Sequence, residues 1–261
     1  PMVYGMDGYY PMETSDNLQT HFFRGYSLGY FALNPVVYNP TSGEVVYYPE
    51  ITIRITTQST SRAGEAYRNF FRGTDIDRVE AESRVDNPHR AMSYASRSIS
   101  NTETDYVQYL IVTNEALLPY VQEFADFKSA QGYYTGIVTV EDIYSNYNGQ
   151  DNPEKIRNCV TDYYQRYGTE YLMLFGDNEI VPKRSFSSHV GSTIDDDIAA
   201  DNYYSHLDGT WDGNGNGIYG QPGEEDWGAE LYVGRAAADR EDSVRHFVHK
   251  QITFQTHPVG N

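Results

Sequence analysis

A chain of 261 residues with 37 Asp and Glu against 19 Lys and Arg carries a formal charge of −18, a balance that repels phosphate backbones and argues against a nucleic-acid partner. Its hydrophobic share of 39% and aromatic share of 15% exclude a disordered chain. The length serves one large domain or two ordinary ones. The acidic surface suits solubility in salt, cation binding or basic partners. The single cysteine, Cys159, precludes an internal disulfide without excluding secretion. No run of 18 apolar residues is present, so no membrane span is expected. The start, Pro1-Met2-Val3-Tyr4, lacks a basic segment followed by an apolar one, so no signal peptide is expected and the chain reads as a mature or processed fragment.

Residues 1–60 are expected to form a small β-rich domain. Tyr26 to Leu33, Val36 to Tyr38, Glu44 to Tyr48 and the alternating Ile51 to Ile55 read as strands, and Asn39-Pro40-Thr41-Ser42-Gly43 reads as a hairpin turn. Residues 61–104 are polar and dotted with Arg62, Arg68, Arg72, Arg78, Arg84, Arg90 and Arg97, which predicts a linker or loosely helical connector. From 105 to 261 strands and helices alternate. Tyr106 to Val112 is a strand ending at the cap pair Thr113-Asn114, and helical spacing follows through Leu117, Val121, Phe124 and Ala125 to Gly132. Thr135 to Val140 is a second strand. Asn152-Pro153-Glu154 predicts a helix start with proline at its first position, running to Gly168. Tyr171 to Phe175 is nearly all apolar, as in the middle of a parallel sheet, and Glu230 to Val233 is a fourth strand. A last helix from about Asp239 to Thr253 buries Val244, Phe247, Val248 and Ile252. The pattern predicts an α/β fold with a mostly parallel sheet and flanking helices, preceded by the β-rich region.

Several segments occur in a characteristic order. They are Leu110-Ile111-Val112-Thr113-Asn114, Phe127-Lys128-Ser129-Ala130-Gln131-Gly132, Tyr171 to Pro182 with its Phe175-Gly176-Asp177 strand end, Asp201-Asn202-Tyr203-Tyr204, and Leu231-Tyr232-Val233-Gly234-Arg235 before a helix. In this order they resemble the first α/β subdomain of the gingipain family of cysteine peptidases. Residues 1–60, with Asn39-Pro40-Thr41-Ser42-Gly43-Glu44 and Tyr48-Pro49-Glu50-Ile51, resemble that family's β-rich propeptide. The resemblance implies a caspase-like, flavodoxin-like sheet and a second subdomain that follows this one. It further implies a catalytic His in a His-Gly segment and a nucleophilic Cys near a strand end. No His-Gly dipeptide occurs among His21, His89, His189, His206, His246, His249 and His257, so the catalytic pair is expected downstream and none is assigned within this chain. The expected partners are that downstream subdomain of the same precursor and protein or peptide substrates. The expected location is extracellular or at the cell surface, as a zymogen. The rival expectation is a catalytically inactive, calcium-stiffened surface or assembly protein on the same scaffold.

Cys159 lies mid-helix on the apolar stripe between Ile156 and Tyr163, which suits a small core residue better than a reactive thiolate. His246 and His249 are three apart on the last helix, yet no carboxylate or cysteine completes a zinc set, so they read as a solvated face. Asp195-Asp196-Asp197 reads as a solvated loop run, with a cation contact as the alternative. The strongest chemical signal is Asp208-Gly-Thr-Trp-Asp212-Gly-Asn214-Gly-Asn216-Gly217-Ile218. Alternating oxygen side chains between glycines suit a hard cation, so Asp208, Asp212, Asn214, Asn216 and the Ile218 carbonyl are candidate Ca²⁺ ligands. The twelfth position of an EF-hand-type loop falls on Gly223, leaving Glu224, Glu225 or Asp226 as a shifted closing ligand. A plain Asn/Gly turn accounts for the same residues. The family resemblance adds Asp177 as a second candidate calcium ligand, with a simple turn cap as its alternative. Gly213, Gly215 and Gly217 lack the cationic partner a phosphate loop needs.

Overall fold

The computed structural model describes residues 3–5, 7–94 and 106–258. β1 (Gln19–Phe23) and β2 (Tyr26–Tyr30) pair antiparallel around Arg24 and Gly25, whose φ angles of 49° and 79° give the two-residue turn that matches strand twist. Glycine is required at 25 for a second reason: a Cβ there would sit 2.5 Å from Phe71. β3 (Val36–Tyr38) and β4 (Val45–Tyr47) form the second hairpin across the predicted turn, in which Asn39 Oδ1 accepts the Thr41 and Ser42 amides. Ile51 to Ile55, expected as a strand, has no regular structure, and Ile53 and Ile55 are exposed. Alternation makes a strand only where a neighbouring edge accepts it, and both N-terminal sheets stop at two strands.

The polar stretch after residue 60 is more ordered than its composition suggests. α1 (Ser61–Phe70) and α2 (Asp75–Ser83) are each capped by a threonine, with Thr60 accepting from the Ala63 amide and Thr74 from the Asp77 amide. A 3-10 segment over Pro88–Ser93 follows. These pieces close over β1 and β2, burying Phe23, Tyr26, Leu28, Phe71, Ala81 and Ala91 in one cluster. One of the arginines of the expected linker is internal: Arg72 is buried, and its guanidinium reaches Asp77 and the Thr169 carbonyl. Arg97 and the end of the expected linker lie outside the described residues.

β5 (Tyr109–Thr113) leads to α3 (Leu118–Ala130), and Asn114 Oδ1 accepts the Leu117 amide at the turn between them. β6 (Thr135–Thr139) runs directly into α4 (Val140–Asn146), a short helix that periodicity did not announce. α5 (Asn152–Tyr167) is capped one residue earlier than expected. Asp151 accepts the Glu154 amide, Pro153 sits second in the helix rather than first, and Gly168 ends it in the left-handed region. β7 (Tyr171–Phe175) is followed by a hairpin of β8 (Arg184–Val190) and β9 (Thr193–Ala200), then by β10 (Tyr232–Ala236) and α6 (Glu241–Thr256). Asp195, Asp196 and Asp197 lie on exposed β9 and not on a loop; Lys183 Nζ reaches Asp197 at 2.6 Å. An acidic strand with both faces in water carries no alternation to reveal it.

β10, β7, β5 and β6 form, in that order, one all-parallel sheet. Leu110, Val112, Leu172 and Leu174 face Ile143, Ile156, Val160 and Tyr164 on the α4–α5 side. Ile111, Met173 and Phe175 face Val121, Phe124, Val244 and Val248 on the α3–α6 side. Successive strand residues point to opposite faces, so near-continuous apolar strands between two helix layers are the natural solution. The α/β architecture with a β-rich N-terminal region is as the sequence predicts.

Candidate functional site

The carboxyl ends of the parallel strands are where an open α/β sheet gathers ligands. Here that edge is organised by Arg235 at the end of β10. Its Nε and Nη2 each donate to Asp201 at 2.7 Å, and its Nη1 donates to the carbonyls of Gly176 at 2.8 Å and Val181 at 2.6 Å. The Gly234-Arg235 segment therefore pins the turn after β7. Asp177 belongs to that turn: its Oδ1 accepts the amides of Glu179 at 3.0 Å and Ile180 at 3.3 Å. The turn-cap alternative accounts for these contacts, and Asp177 is not among the clustered carboxylates described below.

Cys159 is fully buried beside Ile156 and Val160. Burial pushes its thiol up to about 12, against which a hydrogen bond with Tyr147 acts only partly. A thiol in that range holds essentially no thiolate at neutral pH. Iodoacetamide at pH 8 is expected to leave Cys159 unmodified in the native protein and to alkylate it fully in denaturant, read by intact mass. Native labelling at a rate near that of a free thiol would contradict this placement. His246 and His249 are both exposed on α6, as a solvated face requires.

The Asp212–Glu224 loop folds back on itself through its own oxygens. Asp212 Oδ1 and Oδ2 accept the amides of Asn216 at 2.9 Å and Gly217 at 3.0 Å, Asn214 Oδ1 accepts the Asn216 amide at 2.9 Å, and Asn216 Oδ1 accepts the Ile218 amide at 2.8 Å. Glu224 closes the loop from the far side. Its Oε1 accepts the Asn214 amide at 3.0 Å, while its Oε2 is buried without a hydrogen-bond partner. Asp212, Asn214, Asn216 and Glu224 are thus brought together, and the closing carboxylate is the residue one place after the EF-hand twelfth position.

Asp208 is drawn elsewhere. It lies with Asp226 and Glu230, one oxygen of each within 4.8 Å of the others. Glu230 is fully buried and accepts the Leu207 amide at 2.6 Å and the Arg24 amide at 3.2 Å. Asp226, also buried, accepts the amides of Gly209 at 3.2 Å and Gly228 at 3.0 Å. Loss of solvent, reinforced by the neighbouring carboxylates, raises both the Asp208 and the Glu230 carboxyl well above the usual range. Glu230 as a site residue is beyond sequence reasoning, because it looks like the first residue of a strand and only the return of the chain brings it to Asp208.

Comparison with known proteins places these features in context. The family model described as "Peptidase family C25" matches residues 102–261. Gingipain R2 of Porphyromonas gingivalis (strain ATCC BAA-308 / W83) is 20% identical over 262 residues, an alignment covering 98% of this chain but 31% of that protein. The chain therefore spans about a third of the length of this curated relative. Among solved structures, the complex of Porphyromonas gingivalis RgpB pro- and mature domains is 17% identical with a TM-score of 0.40, covering 56% of this chain and 29% of that one. The Arg-specific cysteine proteinase gingipain R (RGPB) is 18% identical with a TM-score of 0.40, covering 60% of this chain and 30% of that one.

Proposed function

Because the chain belongs to peptidase family C25, we propose that it forms the pro-segment and first catalytic subdomain of a secreted gingipain-like cysteine endopeptidase whose catalytic His and Cys lie on further polypeptide. The observation that carries this reading is the family match over 102–261 together with the sealed position of Cys159, the only cysteine of the sequence. The nucleophile is then a cysteine outside these residues. Its thiolate, formed by proton transfer to a histidine, attacks the peptide carbonyl, expels the amine and leaves a thioester that water hydrolyses.

In this reading the chain contributes framework. The parallel sheet supports the reacting groups, the Arg235–Asp201 contact fixes the strand ends, and residues 1–60 act as the pro-segment. The Asp212–Glu224 loop takes a structural Ca²⁺ through Asp212, Asn214, Asn216 and Glu224, with the Ile218 carbonyl available as a further oxygen. Ca²⁺ there would stiffen the loop without taking part in the reaction. Protein or peptide substrates and an extracellular or surface location follow from the peptidase reading. The test is casein hydrolysis by the complete polypeptide and by its variant with the downstream cysteine changed to alanine. The variant is expected to lose at least about 1,000-fold in activity, as removal of a nucleophile does. Undiminished hydrolysis would overturn the proposal, and absence of hydrolysis in the unaltered polypeptide would favour the inactive surface or assembly protein.

A further inference from the structure

The sequence contains three Asn-Gly dipeptides: Asn148-Gly149, Asn214-Gly215 and Asn216-Gly217. Such a dipeptide carries its own chemistry. The glycine amide nitrogen can attack the side-chain carbonyl carbon of the asparagine before it, because no Cβ on the glycine blocks the approach. The side chain must swing back onto its own backbone, so both groups have to be free. The fold treats the three dipeptides differently. Asn214 Oδ1 accepts the Asn216 amide at 2.9 Å, and its Nδ2 donates to Gln221 Oε1 at 3.0 Å. Asn216 Oδ1 accepts the Ile218 amide at 2.8 Å, and its Nδ2 donates to Gln221 Oε1 at 2.7 Å. Both side-chain amides are therefore held through oxygen and nitrogen alike. The nucleophiles are held as well: the Gly217 amide donates to Asp212 Oδ2 at 3.0 Å and the Gly215 amide to the Asp212 carbonyl at 3.4 Å. Asn148 and Gly149 have none of this. Both are exposed in the connection between α4 and α5, and among the described residues the Asn148 side chain makes no hydrogen bond and the Gly149 amide donates none.

We propose that Asn148 is a site of spontaneous deamidation and isoaspartate formation, left open by a fold that locks the other two Asn-Gly dipeptides. The Gly149 amide nitrogen gives up its proton to hydroxide and attacks Asn148 Cγ. The N–Cγ bond forms, the Cγ–Nδ2 bond breaks, and the side-chain nitrogen takes up a proton and leaves as ammonia. Water then adds to one of the two carbonyls of the cyclic imide and opens it to aspartate or isoaspartate. Water is the only co-reactant, and nothing is oxidised or reduced. The position gives the reaction a structural consequence. Gly149 lies so close to the first turn of α5 that a Cβ on it would sit 2.8 Å from the Lys155 nitrogen, and the Asn148 carbonyl accepts Asn158 Nδ2 at 2.9 Å. Isoaspartate lengthens the main chain here by a methylene group, so these contacts shift and the α4–α5 connection loosens. The proposal depends neither on the peptidase reading nor on a cation in the Asp212–Glu224 loop.

Peptide mapping by mass spectrometry tests it, on the 261-residue chain incubated in mildly alkaline buffer with EDTA and digested in acid to stop the reaction. The peptide holding Asn148 is expected to acquire the mass of an amide-to-acid conversion and to separate into aspartate and isoaspartate forms. Asn214 and Asn216 are expected to convert at least roughly tenfold more slowly, the factor that about 1.4 kcal/mol of local structure imposes on a rate. In urea all three are expected to convert at comparable rates, because each then lies in an open chain. Native conversion at Asn214 or Asn216 as fast as at Asn148 would overturn the proposal. So would an Asn148 that stays intact in the folded chain while it converts in urea.

Discussion

Replacing Asp77 by alanine is expected to lower the unfolding free energy by roughly 3–5 kcal/mol, the usual cost of removing one partner from a buried ion network. Asp77 is fully buried and serves two guanidiniums. Its Oδ1 accepts from Arg24 Nη1 and Arg72 Nη2, each at 2.7 Å, and its Oδ2 accepts from Arg72 Nε at 3.0 Å. Arg72 also covers the Tyr164 ring and donates to the Thr169 carbonyl, while Arg24 lies at the turn of the β1–β2 hairpin. One carboxylate thus joins the hairpin, α2 and the α/β unit, and its loss takes the ion-pair partner from buried Arg72 and leaves buried Arg24 with Glu80 alone. Urea unfolding should show the effect, and a change below about 1 kcal/mol would mean the guanidiniums find water or other partners. The pH dependence has a definite sign. Burial opposes ionisation of Asp77, but the hydrogen bonds and charges of Arg72 and Arg24 outweigh it and hold the carboxyl below its ordinary value of 3.8. The network's contribution is therefore present above the unfolded-state value and is lost as pH falls through the lower folded-state value.

Gly228→Ala is expected to cost about 3 kcal/mol or more, at the upper end for overpacking, because nothing near it is free to yield. A Cβ at 228 would lie 1.6 Å from the Phe22 carbonyl oxygen and 2.7 Å from its carbon, so backbone must separate from backbone. The hairpin would then be displaced from the strand leading into β10. Gly213→Ala is the matched control, since its Cβ would meet nothing closer than Glu224 Oε1 at 3.7 Å. Urea midpoints should fall steeply for the first variant and shift little for the second. Equal midpoints for both would show that the close approach at 228 relaxes cheaply.

The parts of the fold that could be read in the sequence were those where one local signal decides. Tyr171 to Phe175 is apolar throughout because both of its faces are covered, and α5 carries a cap, a proline and a terminal Gly168. The parts that escaped depend on residues far apart in the chain. Ile51 to Ile55 alternates like a strand yet finds no edge, and Arg72 looks like linker composition until Asp77 and Thr169 surround it. The candidate metal residues divide the same way. Asp212, Asn214 and Asn216 are legible from spacing, because a tight loop brings near neighbours together. Asp208 joins them by proximity in sequence, whereas the fold brings it to Asp226 and Glu230. Asp177 carries an acidic side chain at a strand end, and its carboxylate is used by the turn it begins.

In the proposed reading this chain is framework and the nucleophile lies elsewhere on the same peptidase. The most direct measurement treats the native protein, as purified from its source, with a thiol-directed peptidyl electrophile and maps the modified peptide by mass spectrometry. The expected result is a single label on a cysteine outside residues 1–261, with Cys159 untouched. A label on Cys159 itself, formed without denaturation and accompanied by loss of peptide hydrolysis, would contradict the account.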